Sequence, residues 1–305
     1  MSQGFTDTIM LIRPASFDYN VQTARTNAFQ VAVDAEHEEL QKMVLPEFDA
    51  FAATLRAAGS KVEVFVDTVE PTKPDATFPN NWISFHEEGT VIMYPMFAPN
   101  RRSEVRTDIV ESMKEKYGFD REVDFTHYAN ARIFLEGTGS MVLDRENKIC
   151  YACLSQRTDE RLLNEFCELM KYDPVAFDAV DKNGQEIYHT NVMMALGPDY
   201  AVLCVESIED KDERRGLIKT LANSGKEIIP ITSSQMVAYA GNMLHVRNTK
   251  GEDILVMSKR AYNILIDSQI EKLESRAKLL PVEIPTIETV GGGSVRCMMA
   301  EVFYP

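Results

Sequence analysis

The chain has 305 residues, ordinary proportions of apolar and charged side chains, and 47 acidic against 32 basic residues for a formal charge of −15. Such a length exceeds the usual single domain, although rings and barrels of this size occur as one unit. The acidic excess, with no basic run to offset it, excludes nucleic acid and anionic membranes as expected partners.

No stretch approaches the length of an apolar membrane span, and the N-terminus lacks a basic segment followed by a long apolar run. A cytoplasmic location is therefore expected. The five cysteines, at 150, 153, 167, 204 and 297, are odd in number and dispersed, which predicts reduced thiols rather than a disulfide framework.

In chain order, the sequence opens with the strand pattern IMLIR. A helical region follows from about Asn27 to Ala58, broken near Pro46, and then the strand KVEVFV. Four hairpins of one design come next: NWISFHEEGTVIMYPM, GSMVLDRENKICYACL, NVMMALGPDYAVLCV and NMLHVRNTKGEDILVM. Each is an apolar run, a polar turn and a second apolar run. Each is followed by a helix-like stretch and one more short strand: EVDFTH, PVAFDAV, EIIPI and LLPVEIP. The segment between the last hairpin and its strand, Lys259 to Lys278, has room for two helices. The C-terminal CMMAEVFY would pair with IMLIR to complete a fifth hairpin.

Five such units, closed by the two chain ends, predict a five-bladed, pseudo-symmetric α/β propeller, with residues 1–305 as one domain of ββαβ-like units. Aligning the hairpin starts puts Asn81, Ser140, Asn191, Asn242 and Cys297 at equivalent places, 51 to 59 residues apart. In a ring, equivalent positions face a common axis. The polar, glycine-containing loops before the hairpins would converge on one cavity, as site-building loops do.

Cys297 follows GGGSVR, where glycines permit positive φ and close backbone approach. Such a loop can present a thiol beside backbone N–H groups and Arg296, which favours thiolate; a small core residue is the alternative. His189, in IYHTNVMM, is one of only five histidines and suits either proton transfer or a structural hydrogen bond. Glu136, in FLEGTGS, is either an exposed loop acid or a carboxylate that orients the histidine or holds a substrate nitrogen. Cys150 and Cys153 form a C-x-x-C inside a strand, so their odd offset puts them on opposite faces and predicts packing rather than metal or redox chemistry.

Together GGGSVRC, HTNVMM, LEGTGS, FPNNW and SQRTDERL resemble the guanidine-modifying superfamily of arginine deiminases and amidinotransferases, most closely its citrulline-hydrolase and amidinotransferase-related branch. The likeness covers nearly the whole chain in the order Glu, His, Cys. It implies the pentein fold, a nucleophile at Cys297, an acid/base at His189 and a carboxylate partner at Glu136. It also implies that Arg157, in the SQRT segment, binds the substrate α-carboxylate, against the alternative of an exposed helix-start charge capped by Thr158 or Asp159.

Two departures from the family pattern bear on substrate. Asn81 in FPNNW and Asn191 after the histidine stand where arginine deiminases carry acids that face a guanidinium. Amides remove charge complementarity but keep both donor and acceptor, which suits a neutral ureido group. With Asn242 as a further polar residue of the ring, the expected function is citrulline hydrolysis to ornithine, carbon dioxide and ammonia through a covalent thioester, with no metal or cofactor required. The alternatives are arginine dihydrolase or deiminase, amidino transfer, and a non-catalytic ligand-binding ring. The expected partner is a small amino-acid substrate, and self-association of the ring is compatible with the sequence.

Overall fold

The structure, a computed structural model, describes residues 4–305. Fifteen strands form five three-stranded sheets. The first joins β1 (Thr8–Arg13) to β2 (Lys61–Val66) and to β15 (Ala300–Glu301). The second contains β3 (Ile83–His86), β4 (Thr90–Met93) and β5 (Arg121–Asp124), and the third β6 (Val142–Asp144), β7 (Ile149–Leu154) and β8 (Asp173–Asp178). The fourth holds β9 (Met194–Leu196), β10 (Tyr200–Leu203) and β11 (Glu227–Pro230), and the fifth β12 (Leu244–Arg247), β13 (Asp253–Ser258) and β14 (Lys278–Val282).

Every sheet repeats one plan: a central strand pairs antiparallel with its hairpin partner and parallel with the third strand. The hairpin partners pack on one another, β15 on β3, β6 on β9 and β9 on β12, as an α/β propeller requires. Central strands such as β4 and β10 are buried throughout, whereas the third strands are half exposed. Pro174, Pro230 and Pro281 all lie on third strands, where a missing N–H interrupts no further ladder.

The long helices are α1 (His37–Ala57), α2 (Thr107–Tyr117), α4 (Glu160–Met170) and α6 (Lys211–Asn223). Short α3 (Gly137–Ser140), α5 (Thr190–Met193) and α10 (Val295–Met298), with the 3₁₀ turn Pro79–Asn81, sit just before hairpins. Local chemistry sets several ends. Asp159 and Asp210 accept backbone N–H groups of α4 and α6, Gly118 ends α2 in the left-handed region, and Thr232 with Gln235 forms a capping box on α7 (Ser233–Val237). The Lys259 to Lys278 segment does divide into two helices, α8 (Lys259–Ile264) and α9 (Asp267–Glu274). Among the described residues no helix is long and apolar enough to cross a membrane.

The N-terminal expectation needs correction. Helix α1 starts at His37, not near Asn27, and runs unbroken through Pro46. An interior proline costs about 3 kcal/mol, but the stripe Leu40, Val44, Phe48, Phe51 and Leu55 is buried, each side chain contributing roughly 1.5–3 kcal/mol. Residues 27–31 are not helical because they bond elsewhere: Asn27 Nδ2 to the Gly292 carbonyl, and Val31 N–H to the Thr289 carbonyl.

Candidate active site

The turns before the hairpins meet in one small cavity, lined by Cys297, His189, Asn81, Arg157, Arg101 and Asp75 among others. Cys297 comes from α10 and is 5% exposed, with its sulfur against two amides. Asn242 Nδ2 lies 3.3 Å and Asn191 Nδ2 3.5 Å from Sγ. Asn242 is itself fixed, donating to the Asn191 carbonyl at 2.9 Å and accepting from the Arg296 N–H at 3.1 Å. These two asparagines thus stand behind the sulfur, and Asn191 Oδ1 is buried without a partner.

One expectation about the cysteine loop is corrected, and the roles of its glycines divide. The Arg296 side chain turns away from the thiol, bonding the Met299 carbonyl and Glu301, so the asparagine amides take the place expected for that cation. Of the three glycines only Gly292, at φ +64, uses left-handed backbone. At Gly291 and Gly293 a side chain is refused for another reason: a Cβ would lie 2.8 Å from the Phe78 ring.

His189 precedes α5, and its Nε2 lies 2.7 Å from Glu136 Oε2. Glu136 Oε1 accepts the Phe97 N–H at 2.9 Å, and Arg157 Nη1 stands 3.5 Å from Oε2. Burial alone would raise the Glu136 carboxyl, but Arg157, His189 and Arg101 outweigh it and hold it down at about 2. Burial also pulls His189 down to about 4, against the upward pull of Glu136. At neutral pH the pair is a carboxylate and a neutral imidazole. A carboxylate only accepts, so Nε2 carries the proton and Nδ1 keeps a free lone pair.

That Nδ1 sits over Gly139 beside the Asn81 amide. A Cβ at Gly139 would fall 2.8 Å from His189 Nδ1 and 2.4 Å from Asn81 Nδ2, so this glycine makes room for both groups. Asn81 bonds Asn80 Oδ1 through Nδ2 and accepts from Arg101 Nη1 through Oδ1, both at 2.9 Å.

Arg157 is not an exposed helix-start charge. It is 2% exposed, stacks over the Tyr188 ring at 4.7 Å and donates to Thr26 Oγ1 at 2.7 Å, while Asp159 caps the helix. Its Nε is buried without a partner, as is Asp75 Oδ1 on the same cavity. Burial pushes the Asp75 carboxyl up, with Arg101 acting against it from 3.6 Å. Asp75 and Arg101 escaped the sequence reading. The only hint was that both are charged residues of loops flanking the β3–β4 hairpin.

The remaining cysteines behave as packing residues. Cys150 and Cys153 belong to different core clusters, as their opposite facing requires, and burial pushes the first thiol well up and the second up to about 12.

Comparison with known proteins agrees with this architecture. The family described as N,N dimethylarginine dimethylhydrolase, eukaryotic, matches residues 13–304. No curated protein sequence matches the chain. Among solved structures, the substrate-bound N-terminal domain of ArgZ, an arginine dihydrolase from the ornithine-ammonia cycle in cyanobacteria, superposes with a TM-score of 0.74 at 16% identity, covering 98% of both chains. Apo ArgZ gives the same TM-score and identity over 98% of this chain, which spans only 41% of that longer chain. A dimethylarginine dimethylaminohydrolase adduct with 4-chloro-2-hydroxymethylpyridine gives a TM-score of 0.65 at 17% identity, covering 97% of this chain and 99% of its own. These neighbours share the five-sheet ring. With almost its whole length matched, the chain belongs to the N,N dimethylarginine dimethylhydrolase family of hydrolases, within the guanidino-modifying pentein superfamily.

Proposed function

We propose that this protein is a citrulline hydrolase, with residues 1–305 acting as one catalytic domain. The observation that supports this most is the composition of the reacting end: a thiol that touches the amides of Asn191 and Asn242, and an imidazole–carboxylate pair with the Asn81 amide on the same cavity as the thiol and the imidazole. Amides match a neutral ureido group, whose carbonyl needs a donor and whose N–H groups need acceptors. On the same cavity, the unpartnered Arg157 Nε and Asp75 Oδ1 suit the α-carboxylate and α-amino group of an amino acid.

The reaction begins as Cys297 sulfur attacks the ureido carbon and its proton passes to His189 Nδ1. Glu136 holds the imidazolium so formed. His189 returns the proton to the departing ammonia, leaving a carbamoyl thioester between Cys297 and the ornithine nitrogen. Water, deprotonated by His189, then attacks the same carbon. The thiol is regenerated, and the released carbamate decomposes to ornithine and carbon dioxide.

A second reading, arginine dihydrolase, is favoured by the likeness to ArgZ. Incubating the purified protein separately with citrulline and arginine, and assaying ammonia, ornithine and citrulline, separates the two. Citrulline hydrolysis predicts ornithine from citrulline and little product from arginine. A dihydrolase yields two ammonia per arginine.

A further inference from the structure

Which atom of Asn81 meets the substrate is not free to vary. Arg101 is 2% exposed and carries a two-pronged bond to Glu104, Nε to Oε1 at 2.9 Å and Nη2 to Oε2 at 2.8 Å. Glu104 is equally buried and, unlike Arg101, does not line the cavity. Its grip fixes the guanidinium plane, and the remaining nitrogen, Nη1, donates to Asn81 Oδ1. A guanidinium has donors only. Turning the Asn81 amide over would set its NH₂ against the Arg101 N–H, donor against donor.

We infer that Arg101, clamped by Glu104, is a positioning residue that locks Asn81 with its NH₂ on the side of His189, so that the site reads a carbonyl oxygen and refuses a guanidinium. The inference rests on the proposed citrulline activity and names the device behind its selectivity. The Asn81 nitrogen already lies beside His189 Nδ1 over Gly139, at the reacting end of the cavity. An N–H there bonds a ureido oxygen but meets only like donors on a guanidinium. The asparagine in FPNNW is therefore only half of the device. An aspartate at 81 would be captured by Arg101 before it could serve a cationic substrate.

The test measures binding of citrulline and arginine by calorimetry in the Cys297→Ala protein, where no turnover intervenes. The two ligands share their amino-acid end, so any general loss at Arg101 cancels in the ratio of their affinities. The parent should favour citrulline. Arg101→Lys keeps a cation beside Glu104, but its single amine cannot hold Glu104 and Asn81 together. With the Arg101 bond gone, only the Asn80 Oδ1 acceptor still orients the amide, and the ratio should move toward arginine by roughly tenfold, the size of one charge-assisted hydrogen bond.

If that variant does not fold, Arg101→Gln combined with Glu104→Gln removes both buried charges together and should give the same shift. Asn81→Asp alone should move the ratio by no more than about threefold, but by roughly tenfold or more when added to that pair. An unchanged ratio in folded Arg101→Lys or in the paired variant overturns the inference. So does a full switch to arginine by Asn81→Asp alone. A parent that binds neither ligand, or arginine more tightly, overturns the citrulline reading itself and is recognised before any variant is compared.

Discussion

His189 Nε2 donates to Glu136 Oε2 across 2.7 Å, joining the turn before β9 to the turn before β6, and both groups are buried. The bond fixes the ring by one nitrogen and leaves the other free to accept a proton. Glu136→Gln should retain the fold and lower kcat by about 10²- to 10⁴-fold, since an amide cannot stabilise the imidazolium. His189→Gln, whose terminal nitrogen can reach Glu136, should be at least as damaging at saturating citrulline. Steady-state kinetics on folded variants checks both. A change confined to KM would make these binding residues.

Stability should carry the signature of the same pair. His189 is held neutral to about 4 in the folded protein but takes a proton near 6.5 when unfolded. The unfolded chain therefore binds more protons between those values, and stability falls as pH drops through that window, by about 3 kcal/mol in all. Glu136, held at about 2, adds a loss of the same sign below its unfolded value, from about 4.5 downward. Urea denaturation from pH 7 to 4 should show a shallower decline in His189→Gln than in wild type. Equal slopes would mean that the histidine is not buried neutral.

Gly139 offers a steric test of how closely the Asn81 and His189 groups approach. Gly139→Ala places a methyl within 2.4 Å of Asn81 Nδ2 and 2.8 Å of His189 Nδ1, so one or both must move. Displacement of about 1 Å costs on the order of 10²-fold in rate. The expected result is that loss in kcat/KM with a melting temperature lowered by only a few degrees. Wild-type activity would place the reacting groups elsewhere.

Asn242 tests the surroundings of the sulfur. Asn242→Asp keeps the shape and the acceptor for the Arg296 N–H but removes the donor to Sγ and sets a carboxylate beside it. Alkylation of Cys297 by iodoacetamide should slow by about tenfold at pH 7.5, because a nearby anion disfavours thiolate. Unchanged alkylation would show that the amide does not influence the thiol.

The ring was legible in the sequence because each blade repeats the same hairpin, helix and strand, and its hairpin starts register Asn81, Asn191, Asn242 and Cys297 without any contact being known. The structure brings these residues together with His189, Glu136 and Arg157. What escaped depends on partners far along the chain. Asp75 and Arg101 look like ordinary loop charges until folding buries them against each other. The segment after Asn27 looked helical because its composition permits a helix, yet Asn27 and Val31 bond the cysteine loop more than 250 residues away. Arg296 was misplaced because sequence adjacency to Cys297 does not fix side-chain direction, and Glu301 draws it away.

The most direct measurement traps the thioester. Wild-type protein mixed with citrulline and quenched rapidly in acid should yield, after peptide mapping by mass spectrometry, an adduct on Cys297 with the mass of citrulline less ammonia. Cys297→Ala should show neither adduct nor turnover while melting like wild type. An adduct on another residue, or full citrulline hydrolysis by Cys297→Ala, would contradict the account.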